Sequence, residues 1–284
     1  MIKKLILGTA QFGLNYGINN VYGKPSEQTV GSLLDYARTK GILILDTADA
    51  YGDASQIIGR YHQTRQKFSI NTKFKKGTSD LSAQLDASLK ALNIDYVNVY
   101  FFHEFKDFIS YPSVRNQLDE LKKNGKIKKT GLSVYDNNEF LEAINSEYID
   151  VIQIPFNLLD NYSKRGDLIM LAKKKGKELH VRSVFLQGLF FKKVSNLPLK
   201  IRPLGYYLNV LHKLADEINV SIEQLALGYV LQHAEIDNFI IGVDTMDQLK
   251  HNIEMIENKI SEDIVKKIDK INVKETMLLY PKNW

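Results

Sequence analysis

Short apolar runs alternate with amphipathic stretches along nearly the whole chain, and that alternation limits the folds open to it. Eight runs read as strands, over residues 5–9, 42–46, 68–73, 97–102, 129–133, 151–154, 180–184 and 239–242. Helical patterns lie between most of them. In residues 28–40, Val30, Leu33, Leu34 and Ala37 share one face, and Ser26 stands ahead of them as an N-cap. In residues 81–92, Leu81, Leu85, Leu89 and Leu92 fall in register. Strands that alternate with helices pair in parallel. Eight such units within 284 residues favour a closed (β/α)8 TIM barrel over an open doubly wound sheet. No composition shift, repeat or low-complexity segment marks a boundary, so the reading is one α/β barrel domain over residues 1–284. The longest irregular stretches, 11–25, 189–203 and 274–284, are candidates for functional loops.

Composition narrows the function classes. Without cysteine the chain has no disulfide or thiolate chemistry, and a cytoplasmic setting is expected. The opening MIKKLILGTAQFG reads as a first strand rather than a signal peptide. No stretch approaches the roughly 20 apolar residues of a membrane span. The net charge is +5, with the densest lysine runs at 122–129 and 173–177. Each run sits between a helical pattern and a strand and carries no interleaved aromatics. Solvated helix ends are therefore expected, and a nucleic-acid surface is not.

The segment LDTADAYGDAS, residues 45–55, is the most informative for chemistry. Asp46 ends an apolar strand, and burying its charge requires a cationic partner. In a barrel, functional groups come from the C-terminal ends of strands. The second strand ends in Asp46 with Tyr51 in its loop, the third in Lys73 and the fourth in His103. The fifth ends in Ser133, the sixth carries Gln153, and the seventh ends in Arg182 and Ser183. A phenol has a pKa of about 10, and a neighbouring ammonium lowers it. Asp46 would hold Lys73 charged, and His103 would direct a substrate oxygen to the Tyr51 hydroxyl. Together they make a general acid pointed at a carbonyl. His62, His180, His212, His233 and His251 read as surface or packing residues, and no metal-ligand cluster stands out.

The motifs LGTAQFG, LDTADAYGDAS, SLKALNIDYVNVYFFH, GLSVYD, VIQIPFN and IIGVDTMDQLKHNIE, in that order, make the chain resemble the aldo-keto reductase family nearly end to end. The resemblance implies a (β/α)8 barrel that passes hydride from NADP(H), or from NAD(H), to an aldehyde or ketone. It implies Tyr51 as proton donor, Lys73 and Asp46 as the groups that tune it, and His103 as the carbonyl-orienting residue. Thr9, Ser133 and Gln153 match positions around the nicotinamide, and Ser183, Phe185 and Gly188 the pyrophosphate loop. Gly242, Asp244, Gln248 and Asn252 match the adenosine end. Three departures stand out. Val134 replaces a frequent asparagine, Arg182 replaces a stacking aromatic, and Gln248 sits at a common arginine position beside Asp244. The first implies a lost hydrogen bond to the ring, the second an arginine that stacks on it or binds the substrate or a carboxamide oxygen, and the third weak cofactor discrimination with NADP(H) slightly ahead.

RSVFLQGLF, PFNLLD and YPKNW resemble a bacterial branch found with surface-polysaccharide genes, which points to a sugar or nucleotide-sugar carbonyl. Asn15, Tyr16, Asn19, Asn20 and Tyr22 would suit a hydroxylated ligand. Trp284 either closes the pocket or pins the tail. Partners are then a small-molecule carbonyl compound and, for assembly, a monomer or small homo-oligomer. The alternatives are a catalytically weak, nicotinamide-nucleotide-binding regulatory subunit and a Schiff-base enzyme using Lys73.

Overall fold

In the computed structural model, which describes residues 1–74, 80–110 and 112–284 (side chains of 112–115 excepted), eight parallel strands close on themselves. They are β1 (Leu5–Gly8), β2 (Ile44–Asp46), β3 (Ser69–Phe74), β4 (Val97–Phe102), β5 (Ile127–Ser133), β6 (Val151–Pro155), β7 (Glu178–Arg182) and β8 (Asn238–Gly242). Each pairs with the next in sequence, and β8 returns to β1 through pairings that run from Leu5↔Phe239 to Gly8↔Gly242. The expected (β/α)8 barrel is the observed fold.

The helices confirm the periodicity argument. Ser26 Oγ accepts from Thr29 N–H at 3.1 Å and starts Glu27–Thr39, whose Val30, Leu33, Leu34 and Ala37 are buried. Leu81–Leu92 is capped by Asp80, which accepts from Ala83 N–H at 2.9 Å. Both helices turn their apolar face onto the outside of the barrel, where burial of aliphatic side chains drives assembly. Inside the barrel the packing is separate: Val99, Phe101 and Val151 form their own cluster. Gly131 makes room for it, since a Cβ there would lie 2.3 Å from the Phe101 ring.

Two strands begin two residues earlier than expected, β5 at Ile127 and β7 at Glu178. Polar side chains masked these starts, because charges satisfied at the N-terminal end of the barrel do not look like strand residues. His180 is therefore mid-strand rather than at a strand start, and it is buried and packed against Phe101, as a packing residue. Its Nε2 lies 2.8 Å from Glu178 Oε1, and Lys129 pairs with the same carboxylate. The His180 hydrogen bond, helped by Lys129, holds Glu178 down at about 2 despite its burial. The lysine runs are likewise engaged at this end: Lys122 meets Asp150 at 2.6 Å, Lys126 meets Asp86 at 2.6 Å, and Lys173 meets Asp237 at 2.6 Å.

The stretches expected to be irregular are partly ordered into single turns. Ala10–Gly13 is a short helix, and 3-10 turns cover Leu186–Phe191, Val194–Asn196 and Leu199–Leu204. The tail carries two more turns, Thr276–Leu279 and Pro281–Asn283. Trp284 pins this tail: its Nε1 donates to the Leu278 carbonyl at 2.7 Å, while Pro281 and Lys282 line the cleft. No helix of the described residues is long and apolar enough to cross a membrane.

Candidate active site

Asp46 and Lys73 stand side by side at the C-terminal ends of β2 and β3, 3% and 1% exposed, and form a buried ion pair. The ammonium also donates to the Thr47 carbonyl at 3.1 Å. Gln153 Nε2 donates to the other carboxylate oxygen at 2.9 Å, and Thr9 Oγ1 donates to the Asp46 carbonyl at 3.1 Å. The pair is therefore held from just beyond β1, just beyond β2 and from β6 at once, which is what a buried charge pair needs to persist. Engaged in this way, Lys73 is a poor amine nucleophile, so the geometry disfavours Schiff-base chemistry.

The loop after β2 is laced to β3 by Thr47 N–H to Asn71 O at 2.8 Å and Asp49 N–H to Lys73 O at 3.0 Å. It turns at Gly52, which has φ +57° and leaves no room for a Cβ, Gly13 O being 2.3 Å away. This fixes Tyr51 over the pair. The Lys73 ammonium lies 5.5 Å from the centre of the Tyr51 ring. The His103 ring, from just beyond β4, is 6.1 Å away and nearly perpendicular at 85°.

The electrostatics correct one expectation. Burial raises the Tyr51 phenol above its ordinary value, Asp46 adds to the rise, and Arg182 is the group that opposes it. The Lys73 ammonium is itself engaged by Asp46 at contact. The phenol is thus a protonated donor over the neutral pH range. Burial first, then Lys73 and Arg182, push the His103 imidazole down to about 4. His103 is neutral near pH 7 and offers one N–H and one lone pair. Acid acts on it with a defined sign. An unfolded imidazole protonates near 6.5 and the folded one near 4, so acid in that interval favours the unfolded chain. Activity through His103 should accordingly stay level as the pH falls from about 7 to about 5 and drop only towards about 4. A pH profile of kcat/KM for a neutral aldehyde tests this, and a limb centred near 6.5 would contradict a buried ring.

From this cluster one cleft of about 640 Å³ runs across the barrel mouth to β8. That volume is within the range of about 300–1,000 Å³ found for small-molecule and cofactor sites. Thr9, Ser133, Gln153, Arg182, Ser183, Phe185, Gly188, Gly242, Asp244, Gln248 and Asn252 all line it, together with the four residues of the cluster. The loop after β7 is unusual. Ser183, Leu186, Gln187 and Gly188 have φ of +61°, +47°, +56° and +88°. Left-handed runs of this kind turn backbone N–H groups inward and make concavities for anions. Gly188 also passes close to the first loop, where its Cβ would meet Asn19 at 2.8 Å. These features fit a dinucleotide with its diphosphate under the β7 loop.

The β8 end of the cleft is short of positive charge. Asp244 Oδ1 accepts from Asn20 Nδ2 at 3.1 Å, and Gln248 Oε1 accepts from Asp244 N–H at 2.7 Å. Glu223 and His251 join Gln248 and Asn252 in lining the cleft. His251, expected to be a surface or packing residue, thus faces the site. Asn15 and Tyr22 do not; both are exposed outside it. Tyr16 does, with Gln187 Nε2 donating to its hydroxyl at 2.7 Å. The sequence reading missed Gln11, Tyr135, Gln187, Phe191, Glu223 and Lys282. Tyr135 had a signal, lying two residues beyond Ser133 on the inward alternation of β5. Lys282 had none, because only tertiary packing brings the tail to the mouth.

The family model for the aldo/keto reductase family matches residues 4–273. The aldo-keto reductase yakc [NADP(+)] of Schizosaccharomyces pombe is 25% identical, over 89% of this chain and 85% of its own. The NADH-specific methylglyoxal reductase of Escherichia coli is 22% identical, over 92% of this chain and 95% of its own. The solved holo structure of aldo-keto reductase AKR11C1 from Bacillus halodurans superposes with a TM-score of 0.73 at 23% identity, over 96% and 94% of the two chains. With its barrel, its cleft and these likenesses, the chain belongs to the aldo/keto reductase family.

Proposed function

We propose that this protein reduces an aldehyde or ketone to an alcohol at the Asp46–Tyr51–Lys73–His103 cluster. The observation that carries the reading is the placement of a protonated phenol over a buried ammonium–carboxylate pair, beside a neutral imidazole. A nicotinamide cofactor in the cleft supplies the hydride for the carbonyl carbon. The chain's own residues do the rest. His103 donates a hydrogen bond to the carbonyl oxygen and aims it at Tyr51. The Tyr51 hydroxyl gives its proton to that oxygen as negative charge develops there. Lys73 stabilises the phenolate left behind, with Asp46 holding the ammonium in place. Ser133 and the free oxygen of Gln153 orient the carboxamide of the ring. Ser183, Phe185 and Gly188 frame the diphosphate, and Gly242, Asp244, Gln248 and Asn252 frame the adenosine.

The sugar or nucleotide-sugar carbonyl remains our proposed substrate, supported by Tyr16, Asn19 and Asn20, which place phenol and amide groups on the cleft. Turnover of 4-nitrobenzaldehyde with NADPH tests the reductase reading. Absence of turnover with intact cofactor binding would favour the regulatory alternative, which the reductase names of the relatives do not support.

For the cofactor we propose weak discrimination. A 2′-phosphate needs positive charge or several donors, and the adenosine end offers amides beside Asp244 and Glu223. NADPH and NADH should bind within about tenfold of each other, or about 1.4 kcal/mol. Titration of both by fluorescence quenching measures the ratio. A preference for NADPH of about a hundredfold would require a cation that this end of the cleft does not show.

A further inference from the structure

Arg182 is an unusual arginine for the interior of a site. Its guanidinium has five N–H donors, and two are used: one on the Val134 carbonyl at 3.2 Å and one, long, on Ser183 Oγ at 3.4 Å. No carboxylate pairs with it among the described residues. The contrast is Arg165, whose fork is closed on both Asp160 oxygens at 2.9 and 2.8 Å, with Asn137 and the Tyr135 carbonyl taking other donors. Arg165 is built to hold structure. Arg182 is left with donors to spare in a cleft that also holds Tyr51 and His103.

A second cation converges on the same place. Arg182 Cζ stands 4.3 Å from the centre of the Tyr135 ring, and Lys282 Nζ stands 4.2 Å from it. Lys282 also has no carboxylate partner among the described residues. The ring that both cations approach is firmly seated. Its backbone N–H donates to Glu139 at 2.6 Å, its carbonyl accepts from Arg165 at 2.6 Å, and Tyr280 packs edge-on at 5.5 Å. Like charges held on one ring repel, and no carboxylate among the described residues pairs with either. The Val134 hydrogen bond draws Arg182 towards β5 and Tyr135, beside the reacting cluster. Its charge is felt there by Tyr51, Tyr16 and His103 alike.

We propose that the carbonyl substrate carries an anionic group, a carboxylate or a phosphate, which seats on Arg182 and Lys282 at the Tyr135 ring. This rests on the reductase reading and deepens it. A guanidinium fork matches either anion with two parallel hydrogen bonds, and Lys282 adds a mobile point charge from the tail. Arg182 and Lys282 then set which carbonyl compounds are reduced, while the Asp46–Lys73 pair serves the proton.

The test compares charged substrates with neutral partners of similar shape. 4-Oxobutanoate is run against its methyl ester, and D-glyceraldehyde 3-phosphate against D-glyceraldehyde. In the wild type kcat/KM should favour the anion by about tenfold or more in at least one pair. Preference in the first pair alone assigns a carboxylate, and in the second alone a phosphate. Arg182→Gln should bring that ratio to near one, Arg182→Lys should keep part of it, and Lys282→Met should lower it mainly through KM. Lys282 is exposed, so its variant remains informative if Arg182→Gln fails to fold. Ratios near one in both pairs for the wild type overturn the proposal. So does a ratio that survives Arg182→Gln, or a loss of NADPH affinity in that variant with the ratio unchanged, which would give Arg182 to the cofactor. No turnover of any aldehyde, 4-nitrobenzaldehyde included, would sink the reductase reading and this proposal together.

Discussion

Replacing Tyr51 with Phe should lower kcat by about a hundredfold or more while leaving NADPH affinity within a few-fold of the wild type. The substitution removes one hydroxyl and keeps the ring that packs against Lys73 and His103. Each factor of ten is about 1.4 kcal/mol of barrier, so the expected loss is about 3 kcal/mol. The phenol is held protonated by burial and by Asp46, so it has a proton to give at neutral pH. Steady-state reduction of 4-nitrobenzaldehyde, with cofactor titration alongside, separates the two effects. A variant within a few-fold of wild-type kcat would remove Tyr51 from the reaction.

Lys73→Met should abolish turnover and also weaken the fold, by about 3–5 kcal/mol, because it leaves a buried carboxylate without its cation. For a chain of this size that is a fall in melting temperature of about 5–15 °C. The second substitution Asp46→Asn, placed on Lys73→Met, should recover part of the stability and none of the activity. A neutral amide at position 46 asks less of its surroundings, and Gln153 can still hydrogen-bond to it. Thermal unfolding of the wild type, the single variant and the double variant decides it. An unchanged melting temperature in Lys73→Met would mean that the pair contributes nothing to the fold.

The barrel was legible because its signal is repeated. Each strand-helix unit states the same period, so a slip of two residues at β5 or β7 changes no conclusion. The same redundancy exposed Asp46, Tyr51, Lys73 and His103, which sit on strand ends or just past them, where the fold puts function. What could not be read was anything decided between distant loops. The Asn20–Asp244 and Tyr16–Gln187 bonds join the first loop to segments more than 170 residues away, and sequence spacing holds no trace of them. The partners of His180 were hidden for a related reason. A histidine beside Glu178 looks like surface until the barrel wraps Lys129 round to the same carboxylate. The direction of the Tyr51 shift was missed because it depends on burial, which outweighed the neighbouring ammonium.

The aromatic plug beneath the site has a consequence for proton supply. Phe101 fills the barrel under Lys73, 5.7 Å from its ammonium, in space that Gly131 leaves open. Val99 and Val151 complete that floor, and each of the three is fully buried. None of the three carries a polar group that could relay a proton along the barrel axis. Each proton that Tyr51 gives away has to be replaced through the same mouth by which the alcohol departs. Rearming of the acid and exit of the product share one doorway, so whatever slows traffic there delays both.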